Sequence, residues 1–129
     1  MLYLFLAGRI LYGGFFLLSG IGHFRHVSMM TPYAAAKKVP APHLSVLASG
    51  LLLVLGGLSI LLGVRPTLGV LCLTLFLLPT SFLMHNYWAV PDPATRQSDT
   101  VNFKKNIGLL GGAWMLLLIP QPWPMSLGW

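Results

Sequence analysis

Four histidines, one isolated arginine and a Lys–Lys–Asn run carry most of the chemistry this sequence could perform. His23 and His26 stand in "GIGHFRHV", His43 follows at the next apolar run, and His85 opens "HNYW", which also contains Trp88. Lys104, Lys105 and Asn106 form the run, and Arg9 sits alone in "AGRILYGG". An imidazole can hydrogen-bond to an oxygen of a flat head group and changes protonation near neutral pH. His23 and His26, three residues apart, reach one side of a helix. With His85 they would give the three nitrogens that zinc and copper sites use. Yet the spacing fits no fixed metal motif and the apolar runs hold no carboxylate, so no metal is expected. Haem, which would need two facing histidines deep between helices, is not expected either. The one cysteine, Cys72, cannot form an internal disulfide and reads as a small apolar side chain.

The elements that must position these groups are apolar and long. The chain has 129 residues, 56% hydrophobic and 8% charged, where a soluble domain carries about 25% charged residues. Leu44–Val64 and Pro66–Met84 contain no charged residue. Roughly 20 apolar residues at 1.5 Å rise cross a hydrocarbon core of about 30 Å. Only helices and closed barrels satisfy their backbone groups in lipid, and period-2 alternation is lacking. The expected fold is an all-α integral membrane protein, a single four-transmembrane-helix bundle. Its spans are about 2–22, 44–63, 66–85 and 103–119, closed by "PQPWPMSLGW". The first span lacks the basic start and small-residue cleavage site of a signal peptide and is expected to be retained. No water-soluble domain is expected beside the spans. The net charge of +6 reports topology and anionic lipid rather than nucleic acid.

Four spans gather the histidines at one membrane face. His23 and His26 end the first span, His43 begins the second, and His85 ends the third. Lys104, Lys105 and Asn106 open the fourth, with Asp92 and Asp99 in the loop before it. The two long loops carry Arg25, Lys37, Lys38, Arg96, Lys104 and Lys105, whereas the other side carries Arg65 and, if it snorkels, Arg9. That excess places the long loops in the cytoplasm and both termini outside, with Trp123 and Trp129 as anchors at the outer interface. Two accounts of the cluster stand. Polar residues gather wherever helices leave the oil. Alternatively, His23, His85, Trp88, Lys105 and Asn106 line a mouth that takes a quinone head group, an anion or an anionic partner.

Arg9 lies about seven residues inside its span, where a charge costs at least about 2.5 kcal/mol unless relieved. It either snorkels or turns inward to carbonyls, hydroxyls or an anion. Tyr12, Gly13, Phe16, Ser19, Gly20 and His23 fall near its stripe, which suggests an inward face. Glycines at 13–14, 20–22, 56–57 and 111–112 mark close helix approach. Gly63 suits a helix stop and Pro66 a fresh start. In "TPYAAAKK", Thr31 as cap and Pro32 at the first position predict a short interfacial helix over 32–38, a candidate lid.

"GRILYGGFFLLSGIGHF", "GGLSILLGVRPT", "HNYW" and "NFKKNIGLLGG" together resemble, in order and spacing, the DoxX family of small four-helix membrane proteins. The resemblance implies a bacterial or archaeal cytoplasmic membrane. It carries over to Arg9, His23 (where many relatives have lysine), His85, Lys105 and Asn106. It also implies kinship with membrane subunits of thiosulfate:quinone oxidoreductases, oxidative-stress complexes and methylamine utilisation. Many relatives carry a second-span glutamate where Leu53 stands here, so Arg9 lacks that counter-ion.

Three functions are consistent with these residues. The first is a membrane subunit or anchor of a redox assembly, with a quinone pocket whose bundle holds the isoprenoid tail. The second is a non-catalytic assembly protein packing against partner helices, or against a second copy, and binding anionic lipid. The third is a small anion or metal carrier. No carboxylate relay of the kind proton pumps use is present.

Overall fold

The computed structural model describes residues 1–128. Among them are five α-helices and no strand: α1 Leu2–Arg25, α2 Val27–Ala36, α3 Pro42–Leu62, α4 Pro66–Met84 and α5 Pro93–Met115. Short 3-10 turns follow α4 at Tyr87–Ala89 and α5 at Leu116–Leu118. α1, α3 and α4 are long and apolar enough to cross a membrane.

α5 departs from the expected fourth span. It starts ten residues before Phe103, because Asp92 caps it: the Asp92 carboxylate accepts from the Thr95 N–H at 2.9 Å and the Thr95 hydroxyl at 2.8 Å. Pro93 occupies the first turn, where its missing N–H costs nothing. The first half of α5 is therefore polar helix rather than loop, and its α-helical part ends at Met115. The α2 expectation also shifts. The helix begins at Val27, Pro32 lies inside it, and Thr31 does not cap it. The Thr31 hydroxyl donates instead to the carbonyl of Val27 at 2.7 Å, the back-bond typical of Thr within a helix.

The α3–α4 turn follows its sequence signals. Gly63 ends α3 at φ 69° and Pro66 opens α4. Between them, the Ser59 hydroxyl is within hydrogen-bond distance of the Val64 and Arg65 carbonyls, at 2.6 and 3.0 Å. α1 packs on α3, α3 on α4, and α4 on α5. The α1–α3 contact is made by glycine. A Cβ on Gly13 would stand 2.8 Å from the Gly57 carbonyl oxygen, and one on Gly20 2.8 Å from that of Gly50. Backbones this close gain dispersion and leave no room for a side chain. The core that results joins Phe16, Leu53, Ile60, Leu73, Leu77 and Leu110.

Candidate functional site

The two ends of the helices differ in what their polar groups do. At the α1 start and α3 end, Arg9 is 3% exposed. Its Nε donates to the Ile60 carbonyl at 3.3 Å and one terminal nitrogen to Leu61 at 2.9 Å. The other terminal nitrogen donates to Pro124 at 2.7 Å and Met125 at 3.1 Å. Carbonyls thus take the place of a carboxylate, and the charge also lies 5.8 Å from the ring centres of Phe5 and Trp123. The inward stripe predicted for α1 is present: Arg9, Gly13, Phe16 and Gly20 are its buried residues. Trp123 is corrected. It is 2% exposed and packs edge-on to Phe5 at 5.4 Å, so it closes the core rather than anchoring at an interface. Trp129 lies outside the described residues.

At the other end a cavity of about 480 Å³ opens between the helices. His23 of α1, Ser49 and Leu53 of α3, His85 after α4, and Lys105 and Asn106 of α5 line it, and α2 closes part of it with Met30, Tyr33 and Ala34. Most of the remaining wall is apolar, including Phe15, Phe76 and Pro79. Pro79, inside α4, has no N–H to offer the carbonyl of Leu75, leaving that acceptor without its helical donor.

Both histidines are oriented by their second nitrogen. His23 Nδ1 lies 3.2 Å from the Val46 carbonyl and 3.0 Å from Ser49 Oγ, while the Ser49 hydroxyl itself donates to Val46 at 2.9 Å. A carbonyl only accepts, so Nδ1 carries the proton and Nε2 is the open position. His85 Nδ1 lies 3.2 Å from Asp99 Oδ1, which fixes the same tautomer. Asn106 is 5% exposed, and its carboxamide makes no hydrogen bond among the described residues. Lys105 is exposed at the rim, 5.9 Å over the Phe15 ring.

The sequence did not mark Asp99 or Lys37 as site residues. Asp99 is 1% exposed, on α5 rather than in a loop, and Lys37 at the end of α2 reaches it at 2.7 Å. Lys37 also donates to Asn86 Oδ1 at 3.2 Å. Burial pushes the Asp99 carboxyl up, but the hydrogen bonds from Lys37 and His85 and the charges they bring outweigh it, leaving the group below its ordinary value. A signal existed. Asp99, Asn106 and Ala113 recur every seven residues on α5, and all three are buried, so Asp99 belonged to the inward stripe.

Of the six expected site residues, the cavity unites His23, His85, Lys105 and Asn106. Arg9 is at the opposite end. Trp88 is 57% exposed and packs on Phe82, Tyr87 and Phe103 at 5.2–6.1 Å, outside the cavity wall. His26 and His43 are exposed. Leu53 lines the cavity two turns of α3 from Ile60, away from the Arg9 contacts.

No curated protein and no solved structure matches the chain. The DoxX family model matches residues 4–86, from the first turn of α1 through Asn86, and leaves out α5 with its "NFKKNIGLLGG". The match covers more than half of the sequence and agrees with the motifs of α1, α3 and α4: this membrane chain belongs to the DoxX family.

Proposed function

We propose that the chain is a quinone-binding membrane subunit or anchor of a redox assembly, built as a four-crossing bundle. The fourth crossing is the apolar part of α5 from Phe103 with the turn that follows it. The observation that carries the reading is the cavity: two imidazoles with open Nε2 positions, the free carboxamide of Asn106 and the Lys105 ammonium, on a mostly apolar wall. Ligand pockets of this size combine apolar walls with a few convergent polar groups. Lys105 and Asn106 can donate to the carbonyl oxygens of a quinone, and neutral imidazoles can accept from the hydroxyls of the quinol. The membrane is a bacterial or archaeal cytoplasmic membrane, with the long loops inside and both termini outside, in keeping with the lysine and arginine excess of those loops.

Titration of the purified protein with a ubiquinone or menaquinone analogue tests the reading. His23→Ala, His85→Ala and Lys105→Ala should each weaken binding by about tenfold, the worth of one polar contact in an apolar site. Affinity unchanged in all three overturns it.

A second reading, a non-catalytic assembly protein, draws support from Gly108 and Gly111 on α5, whose missing Cβ atoms face open space. Small residues of this kind let a partner helix approach. Copurification of a partner or a second copy after gentle solubilisation supports it, and a lone monomer in several detergents removes its basis.

A further inference from the structure

A second cavity, about 510 Å³, lies on the other half of the α1–α5 seam. Leu4, Gly8 and Tyr12 of α1 line it, with Ile60 of α3, Gly112 of α5 and Leu116 just beyond. Its wall is apolar apart from Arg9 and Tyr12, and Arg9 is already committed to four carbonyls. The Tyr12 hydroxyl donates to the Leu109 carbonyl, so its one hydrogen is not left to offer a ligand. A membrane-embedded groove of this kind suits a flexible hydrocarbon chain.

The two cavities share one seam. The first reaches it at Phe15 on α1 and at Lys105 and Asn106 on α5, and the second begins about one turn away on α1, at Tyr12, and nearly two turns away on α5, at Gly112. Tyr12, edge-on to Phe16 at 5.2 Å, is the sill between them. From Asn106 to Leu116 the seam runs roughly 15 Å at 1.5 Å per residue. α1 and α5 meet along it mainly through side chains: Lys105 lies over Phe15, and the Gly112 position faces the Tyr12 ring at 3.5 Å. Gly8 leaves its side of the groove empty, with nothing within 4 Å of the Cβ position.

We propose that the α1–α5 seam is the tail site of one amphiphile whose head occupies the histidine cavity, the chain passing the Tyr12 sill to lie beside Gly8, Gly112 and Leu116. This rests on the quinone-head reading above. The seam then also sets ligand class: a head group bearing a long unbranched or isoprenoid chain, delivered sideways from the bilayer.

The test uses two compounds on the full chain in one detergent: a tailless benzoquinone, and a benzoquinone with a decyl chain ending in a photoreactive diazirine. Photolabelling followed by peptide mapping should place the chain end within residues 4–12 and 112–116. Gly8→Trp and, as a milder filling, Gly8→Leu should cut that labelling at least about fivefold, while the tailless compound binds both variants as it binds the native chain. Label scattered over the other lipid-facing helices, with tailless binding intact, overturns the tail site and leaves the head site standing. Failure of both compounds to bind the native chain overturns the head site, and the tail site with it.

Discussion

α1 has two flanks, and they are built on opposite rules. Toward α3 it presents Gly13 and Gly20 to Gly57 and Gly50, backbone against backbone, with no space for even a methyl group. Toward α5 it presents Tyr12 and Phe15, which reach across to Leu109 and Lys105 and leave cavities on either side. The difference teaches how a bundle without a hydrophobic driving force between its helices distributes rigidity. Lipid tails are as apolar as leucine, so close packing and hydrogen bonding must hold the helices together. Here the close packing is concentrated on α1–α3, and the seam left loose is free to hold something else. His23 belongs to the rigid flank, tied to Val46 and Ser49, while Lys105 and Asn106 belong to the open one.

The largest effect should come from the tight flank. Gly57→Leu places its Cβ 2.7 Å from the Gly13 carbonyl oxygen and closer still to the backbone of Leu17. It should cost about 3 kcal/mol or more, read as lost assembly or a steep fall in Tm in detergent. The matched change on α5, Gly111→Leu, meets nothing within 4 Å and should stay within about 0.5 kcal/mol. Equal effects at the two positions would erase the contrast.

Next comes Arg9→Leu, which leaves the Pro124 and Met125 carbonyls without their donor. A loss of about 2–3 kcal/mol is expected, with residues 120–128 cut earlier in limited proteolysis than the α1–α3 contact melts. Simultaneous loss of both would show that the arginine holds α1 to α3 rather than the tail to both.

Asp99→Asn should cost about 1–3 kcal/mol, the cost of breaking a buried charged hydrogen bond, and it should free His85. Asp99 titrates below its ordinary value of 3.8 in the folded chain. Its contribution is therefore present above that pH and fades as pH falls through the lower folded value. Stability of Asp99→Asn should lack that acid-side fall, which melting curves between neutral and strongly acidic pH would reveal. The smallest effect is that of Tyr12→Phe, about 1 kcal/mol for one hydrogen bond across the open seam. If it matched Gly57→Leu, the seam would be a structural contact and not a loose one.

Much of the site could be read in advance because its parts obey short-range rules. The α3–α4 turn follows from Gly63 and Pro66, and the inward stripe of α1 follows from helical period. His23, His85, Lys105 and Asn106 fall at one face because three apolar runs of similar length must alternate direction. Trp88 and Trp123 misled for one reason. Tryptophan near a helix end suits an interface equally well whether it faces lipid, an aromatic cluster or the core, and sequence spacing does not separate these. Asp99 was missed because its stripe begins before the apolar part of α5, where polar composition reads as loop.

The sequence by itself determined the three long apolar helices and the turn between α3 and α4, since these depend on composition and on periods of a few residues. The tertiary structure decided which nitrogen of each imidazole is open, that Lys37 and Asp99 tie α2 to α5, and that carbonyls satisfy Arg9. These contacts join residues from 14 to 116 positions apart. Their geometry depends on which helix flank packs tightly and which stays open, and no local pattern encodes that.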